Sequence, residues 1–245
     1  MIVIPMAGLS SRFFDAGYDK PKYMLEAHGE CLFDHAINSF KNYFTSEKFL
    51  FISRDLYGTP EFIRNRIHAL GIKDYHIAVL NGPTRGQAET VMLGLDECDD
   101  GSAITVFNID TFRPGFEFPI FDQSIDGYLE VFKGEGKNWS FAKPYSDSST
   151  KVQETSEKQP ISNLCSTGLY YFSSSTHFIE AFNRYIKLPK SEWVNGELYI
   201  APLYNYLISV GANIHYHEIL PSDVIFCGVP EEYCEFIKGS YGEQL

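Results

Sequence analysis

Met1-Ile2-Val3-Ile4-Pro5-Met6-Ala7-Gly8-Leu9-Ser10-Ser11-Arg12-Phe13 opens the chain, and its reading decides the fold. The apolar run through Met6 has the length and β-branched content of a buried strand. It empties into a loop of small residues. There Gly8 lets backbone N–H groups come close to a ligand, and Ser10 and Ser11 add hydroxyl donors. Arg12 follows at once, and Asp19-Lys20-Pro21-Lys22-Tyr23-Met24-Leu25 supplies a second basic residue, Lys22, after a short gap. Donors and fixed positive charge at the carboxyl end of a buried strand suit a polyphosphate.

Outward from that stretch, strand-like and helix-like segments alternate. Residues 32–44 place Leu32, Phe33, Ala36, Ile37, Phe40 and Phe44 on one helical face. Residues 49–52 read as a strand, 60–70 as a helix ending before Gly71, and 75–80 as a third strand. After Asn81-Gly82-Pro83, the segment Gly86-Gln87-Ala88-Glu89-Thr90 opens another helix. Residues 103–107 form a fourth strand that delivers Asn108-Ile109-Asp110 at its carboxyl end. This alternation predicts an α/β fold, a Rossmann-like doubly wound mixed sheet with helices on both faces. Ligands bind such sheets at the carboxyl ends of their strands, where the glycine loop, residues 86–90 and Asp110 all fall. A carboxylate at that edge suits Mg²⁺ held against a phosphate, since the ion takes hard oxygen ligands.

The second half begins strand-rich, at 127–132, 139–142, from Val152 onward, and at 165–172. Residues 146–159, rich in Ser, Thr, Lys and Glu, read as a mobile hairpin tip over the site, and helical patterns follow near 176–187 and 198–210. No repeat or linker divides the chain, so a single domain over 1–245 is expected.

At 245 residues, 44% hydrophobic and 21% charged, the composition is that of a soluble globular protein, and a net charge of −12 argues against a nucleic-acid partner. No 18-residue apolar run is present, and the N-terminus has no basic segment ahead of its short apolar run, so neither a membrane span nor a signal peptide is expected. The five cysteines, Cys31, Cys98, Cys165, Cys227 and Cys234, are scattered without a C-x-x-C pair, which fits free thiols in a reducing cytoplasm.

The order of strand, Gly8–Arg12 loop and Lys20-Pro21-Lys22 resembles the signature of the sugar-phosphate nucleotidyltransferases, enzymes that join a nucleoside triphosphate to a phosphate monoester. Gly86–Thr90 resembles the family loop that lies against the nucleobase. Trp139–Lys143, and Glu157-Lys158 leading into Ser166-Thr167-Gly168-Leu169-Tyr170-Tyr171-Phe172, resemble its second half. The resemblance implies catalytic roles for Arg12 and Lys22, neutralising triphosphate charge. It implies nucleotide binding by Ala7, Gly8, Ser10, Ser11, Gly86, Gln87 and Ala88, and acceptor binding by Lys158, Gly168 and Glu197. It implies Mg²⁺ as cofactor on Asp110, and it divides the domain into a nucleotide-binding half (1–115) and a strand-rich acceptor-binding half (116–245).

One departure stands out. The family carries an aspartate two residues before a glycine near the C-terminus, as a second metal contact; here Phe226 precedes Gly228 in that position. Asp223, three residues upstream of Phe226, is the stand-in for that second metal ligand. The expected partners are a nucleoside triphosphate and a phosphorylated small molecule, with no nucleic acid and no membrane, and a homo-oligomer is compatible with both. Pro5–Gly8, Ser11–Phe13 and Lys20–Lys22 together resemble a subgroup from bacterial capsule and surface-polysaccharide gene sets, which implies CTP as the donor. A glycosyltransferase would favour an Asp-x-Asp metal motif, whose first position is Asn108 here. A non-catalytic nucleotide-binding regulator has only the Phe226 departure in its favour. A dinucleotide dehydrogenase lacks its G-x-G-x-x-G.

Overall fold

The computed structural model describes residues 1–239. Its main sheet has nine strands: β1 (Ile2–Pro5), β2 (Lys48–Arg54), β3 (Asp74–Leu80), β4 (Ile104–Phe107), β5 (Gly127–Lys133), β6 (Ser140–Pro144), β7 (Val152–Glu157), β8 (Leu164–Phe172) and β9 (Ile214–Ile219). They run in the order β7-β6-β8-β4-β1-β2-β3, with β5 pairing β8 and β9 pairing β5. β1 lies parallel to β4, with Ile2 opposite Thr105, and β2 parallel to β3, whereas β8 is antiparallel to β4, β5 and β6. The mixed α/β sheet expected from the alternation is therefore the one observed.

β1 and β4 are buried along their whole lengths, as expected of strands covered on both faces. The helices are α1 (Ser11–Asp15), α2 (Leu32–Asn38), α3 (Thr59–Leu70), α4 (Gln87–Leu95), α5 (Ser175–Tyr185), α6 (Leu203–Ser209) and α7 (Pro230–Lys238). α3 starts with Pro60 in its first turn and stops at Gly71, whose left-handed backbone (φ 80°) lets its N–H reach the carbonyl of Ile67 at 3.0 Å. Ser174 caps α5 by accepting the Thr176 N–H at 3.1 Å.

Several expectations need correction. The helix expected over 32–44 ends at Asn38, because Phe40 leaves helical geometry (φ −104°, ψ 21°) and a short 3₁₀ turn follows at Lys41–Tyr43. Buried Ser39 at the break takes the Arg113 N–H on its hydroxyl at 2.9 Å. The helix expected from 198 begins only at Leu203, since the backbone of Leu198 is bonded elsewhere. Within 146–159, Val152–Glu157 is the ordered strand β7 in register with β6, and only the turn before it is a reversal. β9 and α7 occupy stretches with no predicted element.

The chain divides into two compact units. One comprises residues 1–3, 84–107 and 119–221; the other comprises, among the described residues, 4–83, 108–118 and 222–239. The core of the second is rich in phenylalanine, with Phe33 and Phe51 at 5.7 Å and Phe40 and Phe116 at 5.0 Å between ring centroids. In the first, Tyr204 stacks on Phe172 at 4.6 Å, and its buried hydroxyl donates to the carbonyls of Tyr171 (2.8 Å) and Tyr128 (3.0 Å). Among the described residues no helix is long and apolar enough to cross a membrane, and all five cysteines are free.

Candidate functional site

In the second unit, the carboxyl end of β1 runs into Met6–Ser10. Ser10 adopts a left-handed backbone (φ 54°), and its hydroxyl accepts the Lys22 N–H at 3.2 Å, which ties the loop to the Pro21-Lys22 turn. A side chain at Gly8 would meet nothing within 4 Å, so the space over its backbone is open. Arg12 is exposed on α1. Lys22, held by a 3₁₀ turn after Pro21, forms an ion pair through Nζ with Oδ2 of Asp110; the two side chains keep 20% and 24% of their surface exposed. Two basic-loop and strand-end residues far apart in sequence thus share one contact.

Asp110 is fixed from its other side. Its carbonyl accepts the Cys227 N–H at 2.8 Å, and the short strand Ile225–Phe226 pairs with Thr111–Phe112. Phe226 stands opposite Thr111 in that ladder. Asp223 lies exposed, with its carbonyl accepting from Arg113 and its carboxylate from the Ser222 hydroxyl at 3.4 Å. Gly228 lies beside Asp110: a Cβ there would sit 3.1 Å from Asp110 Oδ2 and 3.6 Å from Glu232 Oε2. Glu232, in the first turn of α7, accepts the N–H groups of Gly228 (2.8 Å) and Val229 (3.2 Å). Burial pushes the Cys227 thiol well up, the negative charges of Glu232 and Asp110 add to this, and Lys22 opposes it. That buried thiol stays protonated and is no nucleophile.

Beside the loop lies a small recess lined by Ala7, Gly8, Pro21, Arg54, Leu56 and Tyr57. Tyr57 is 60% exposed, has a left-handed backbone (φ 56°) and stacks on Phe14 at 5.2 Å. Glu232, Arg54 and Tyr57 escaped the sequence reading. A Pro-Glu-Glu helix start at 230–232 was the available signal for Glu232; nothing local marks the other two.

In the first unit, Gly86 precedes α4 with φ 142° and ψ 178°, a backbone that side-chain-bearing residues rarely adopt. A Cβ there would lie 2.5–2.9 Å from the backbone of Leu198. Leu198 donates to the Arg85 carbonyl (2.8 Å) and accepts from the Ala88 N–H (2.9 Å), so its peptide is clamped onto the Arg85–Ala88 loop. Gln87 begins α4 half-buried, and Ala88 is fully buried. Arg85 also chelates Glu89 and lies 5.7 Å over the Trp193 ring; its hydrogen bond holds the Glu89 carboxyl below the usual range.

The expected acceptor residues converge in the same unit. Lys158 has a left-handed backbone (φ 56°), and its Nζ donates to the Tyr199 hydroxyl and lies 4.6 Å over that ring. Burial raises the Tyr199 hydroxyl's pKa, and the nearby Glu197 carboxylate raises it further, so Tyr199 is bonded to Lys158 and lies beside Glu197. Glu157 is buried, takes the Ser140 hydroxyl, and has its carboxyl pushed up by desolvation. Tyr170, bonded to Ser140 at 3.0 Å, is pushed up to about 12 by burial. Gly168 (φ 92°) breaks the β8 ladder where its register with β5 shifts, and its N–H donates to the Ser166 hydroxyl at 3.1 Å. Tyr199 is the residue here that spacing alone did not mark.

Among solved structures, this chain is similar to the nucleoside-diphosphate-sugar pyrophosphorylase of Vibrio cholerae RC9, at 60% identity and a TM-score of 0.95, over 98% of this chain and 100% of that one. It is similar in fold to a protein of Bacillus anthracis assigned as a glucose-1-phosphate thymidylyltransferase and solved with sucrose (17% identity, TM-score 0.75, covering 100% and 95%). It is likewise similar to the inositol-1-phosphate CTP transferase of T. maritima (14% identity, TM-score 0.72, covering 97% and 94%). No protein-family model and no curated protein matches the sequence.

Proposed function

The chain belongs to the nucleoside-diphosphate-sugar pyrophosphorylase family of nucleotidyltransferases, and on that premise we propose that it transfers CMP from CTP to a phosphomonoester and releases pyrophosphate. One observation carries the reading: Lys22, from the loop turn after β1, is paired with Asp110, from the end of β4. A cation and a carboxylate joined at the ligand-binding edge of such a sheet are the minimum a metal–triphosphate substrate needs.

An oxygen of the acceptor phosphate attacks the α-phosphorus of the nucleotide. A new P–O bond forms, the α–β bridging P–O bond breaks, and pyrophosphate leaves with the electron pair. No strong general base is required, because a phosphate monoester with a second pKa of about 6 is already largely dianionic at neutral pH. The protein's work is to hold two anions together. Lys22 and Arg12 neutralise the triphosphate, the Gly8–Ser11 backbone and hydroxyls cradle it, and Gln87 offers donor and acceptor to the base. Lys158 takes the acceptor phosphate, with Glu197 and Tyr199 orienting the remainder. Mg²⁺ fits the hard oxygen donors of Asp110, and when bound it supplies charge neutralisation at the α-phosphate.

The finer reading takes phosphoglutamine as the acceptor, in cytoplasmic synthesis of a capsule precursor. It is supported by the likeness of Pro5–Gly8, Ser11–Phe13 and Lys20–Lys22 to that subgroup. The test is pyrophosphate release from each common nucleoside triphosphate against a panel of phosphomonoesters that includes phosphoglutamine. CTP with phosphoglutamine is expected to give the highest kcat/KM. Absence of pyrophosphate from every pair, or glycosyl transfer from a nucleotide sugar, would overturn the reading.

A further inference from the structure

We propose that Glu232 is the second carboxylate of the metal–nucleotide site, acting beside Asp110 across the bare Cα of Gly228. The inference rests on the metal role of Asp110 proposed above and adds a residue that role leaves unassigned. Its first support is the pairing of the short strands, which puts Phe226 opposite Thr111, so the position expected to hold an acid holds none. Asp223, the stand-in expected from the sequence, is exposed with its carboxylate on the Ser222 hydroxyl, and a different acid borders Asp110.

Glu232 is that acid. Its Oε2 and the Oδ2 of Asp110 border one small volume, at 3.6 Å and 3.1 Å from the point a Gly228 Cβ would occupy. Gly228 is not among the residues with positive φ, so its backbone has no need of glycine. What its missing side chain does is leave the space between the two carboxylates clear. The bonds from the Gly228 and Val229 N–H groups fix the Glu232 carboxylate in place. Both bonds fall on Oε2, so of the carboxylate's about four lone-pair directions those of Oε1 carry the capacity for a cation.

The donor chemistry fits a metal that arrives with a nucleotide. Mg²⁺ is usually held by one or two carboxylates, with phosphate oxygens and water completing its shell. Asp110 and Glu232 provide such a pair, and Lys22 beside Asp110 stands ready to pass from the carboxylate to a phosphate. A purely structural role for Glu232, capping the first turn of α7, predicts a different mutational pattern.

The experiment separates the two. Calorimetry would measure binding of CTP to the full chain with Mn²⁺ and with EDTA, and would repeat the pair with inorganic tripolyphosphate, which carries no base. For Glu232→Gln, whose amide oxygen still accepts the two N–H bonds, the affinity gain from Mn²⁺ should shrink on the order of 10–100-fold. Its metal-free affinity and melting temperature should stay near those of the parent. Asp110→Asn should lose the same gain, and Gly228→Ala should lose part of it. Glu232→Gln retaining the full gain while Asp110→Asn loses it would reduce Glu232 to a helix cap and overturn the proposal. Retention of the gain in Asp110→Asn as well would overturn the metal role of Asp110 itself. An active parent that gains nothing from Mn²⁺ would overturn both.

Discussion

Replacing Gly86 with alanine tests how the loop proposed to meet the nucleotide and the segment around Glu197 proposed to meet the acceptor depend on each other. The new Cβ would lie 2.5 Å from the Leu198 carbonyl oxygen and 2.6 Å from its nitrogen, and these are backbone atoms that cannot swing aside. At φ 142° and ψ 178° the alanine would also be held in a region nearly reserved for glycine, at a cost of about 1–3 kcal/mol. Relief comes by moving Leu198 away, which breaks its bonds to Arg85 (2.8 Å) and Ala88 (2.9 Å), worth about 1 kcal/mol each. Backbone strain and the two lost bonds together put the loss of unfolding free energy at about 3–5 kcal/mol, among the larger single-residue effects. Urea denaturation measures that loss. Steady-state kinetics should show the KM values for triphosphate and acceptor rising together, because Gln87 and Glu197 flank the two sides of the broken clamp. A Gly86→Ala protein within 0.5 kcal/mol of the parent, or one in which a single KM changes alone, would refute the reasoning.

Gly8→Ala makes the contrast: its Cβ meets nothing, so stability should hold within about 0.5 kcal/mol, while triphosphate affinity falls because the methyl group occupies the space over the loop. Lys22→Ala and Asp110→Asn should each lower turnover on the order of 10²-fold or more, read by pyrophosphate release, and near-normal turnover in either would deny it a role at the reacting phosphates. Tyr199→Phe removes the hydroxyl that accepts from Lys158 and should raise the acceptor KM about tenfold with the triphosphate KM unchanged. Glu157 has a folded-state pKa raised by burial, so the folded protein holds its proton more tightly than the unfolded chain. Stability from this group is full below the ordinary carboxyl range and falls as pH rises through the raised value. Glu157→Gln should flatten that decline in urea titrations from pH 4 upward; an unchanged slope would place the proton elsewhere.

The sheet-edge positions of Gly8 and Asp110 were legible because each follows the end of a strand. Met1–Met6 and Ala103–Phe107 are apolar runs whose ends are marked by a glycine loop and an aspartate, and local pattern suffices to place Gly8 and Asp110 on one sheet edge, whereas Lys22 was marked by the family resemblance. What escaped depends on partners distant in sequence. Leu198 has the periodicity to extend α6, yet its peptide is spent on Arg85 and Ala88, and the helix waits for Leu203. The helix through Ser39 stops early, where that hydroxyl takes the backbone of Arg113. Glu232 reads locally as an ordinary first-turn acid, and only the pairing of 225–226 with 111–112 carries its helix up to Asp110. β9 lacks a clean alternation, because buried His215 sits next to buried Ile214; its ring finds Thr150 at 2.8 Å from another stretch.

The Leu198 clamp also limits how this enzyme could be diverted to new substrates. Grafting a foreign segment around Glu197 would import a different peptide register, and the loop preceding α4 would lose its template along with it. On the acceptor role proposed for Glu197 and Tyr199, altered preference is then more accessible through side chains projecting from an unchanged main chain than through exchange of the segment, so a laboratory library should vary positions 197 and 199 and leave the path of the backbone alone.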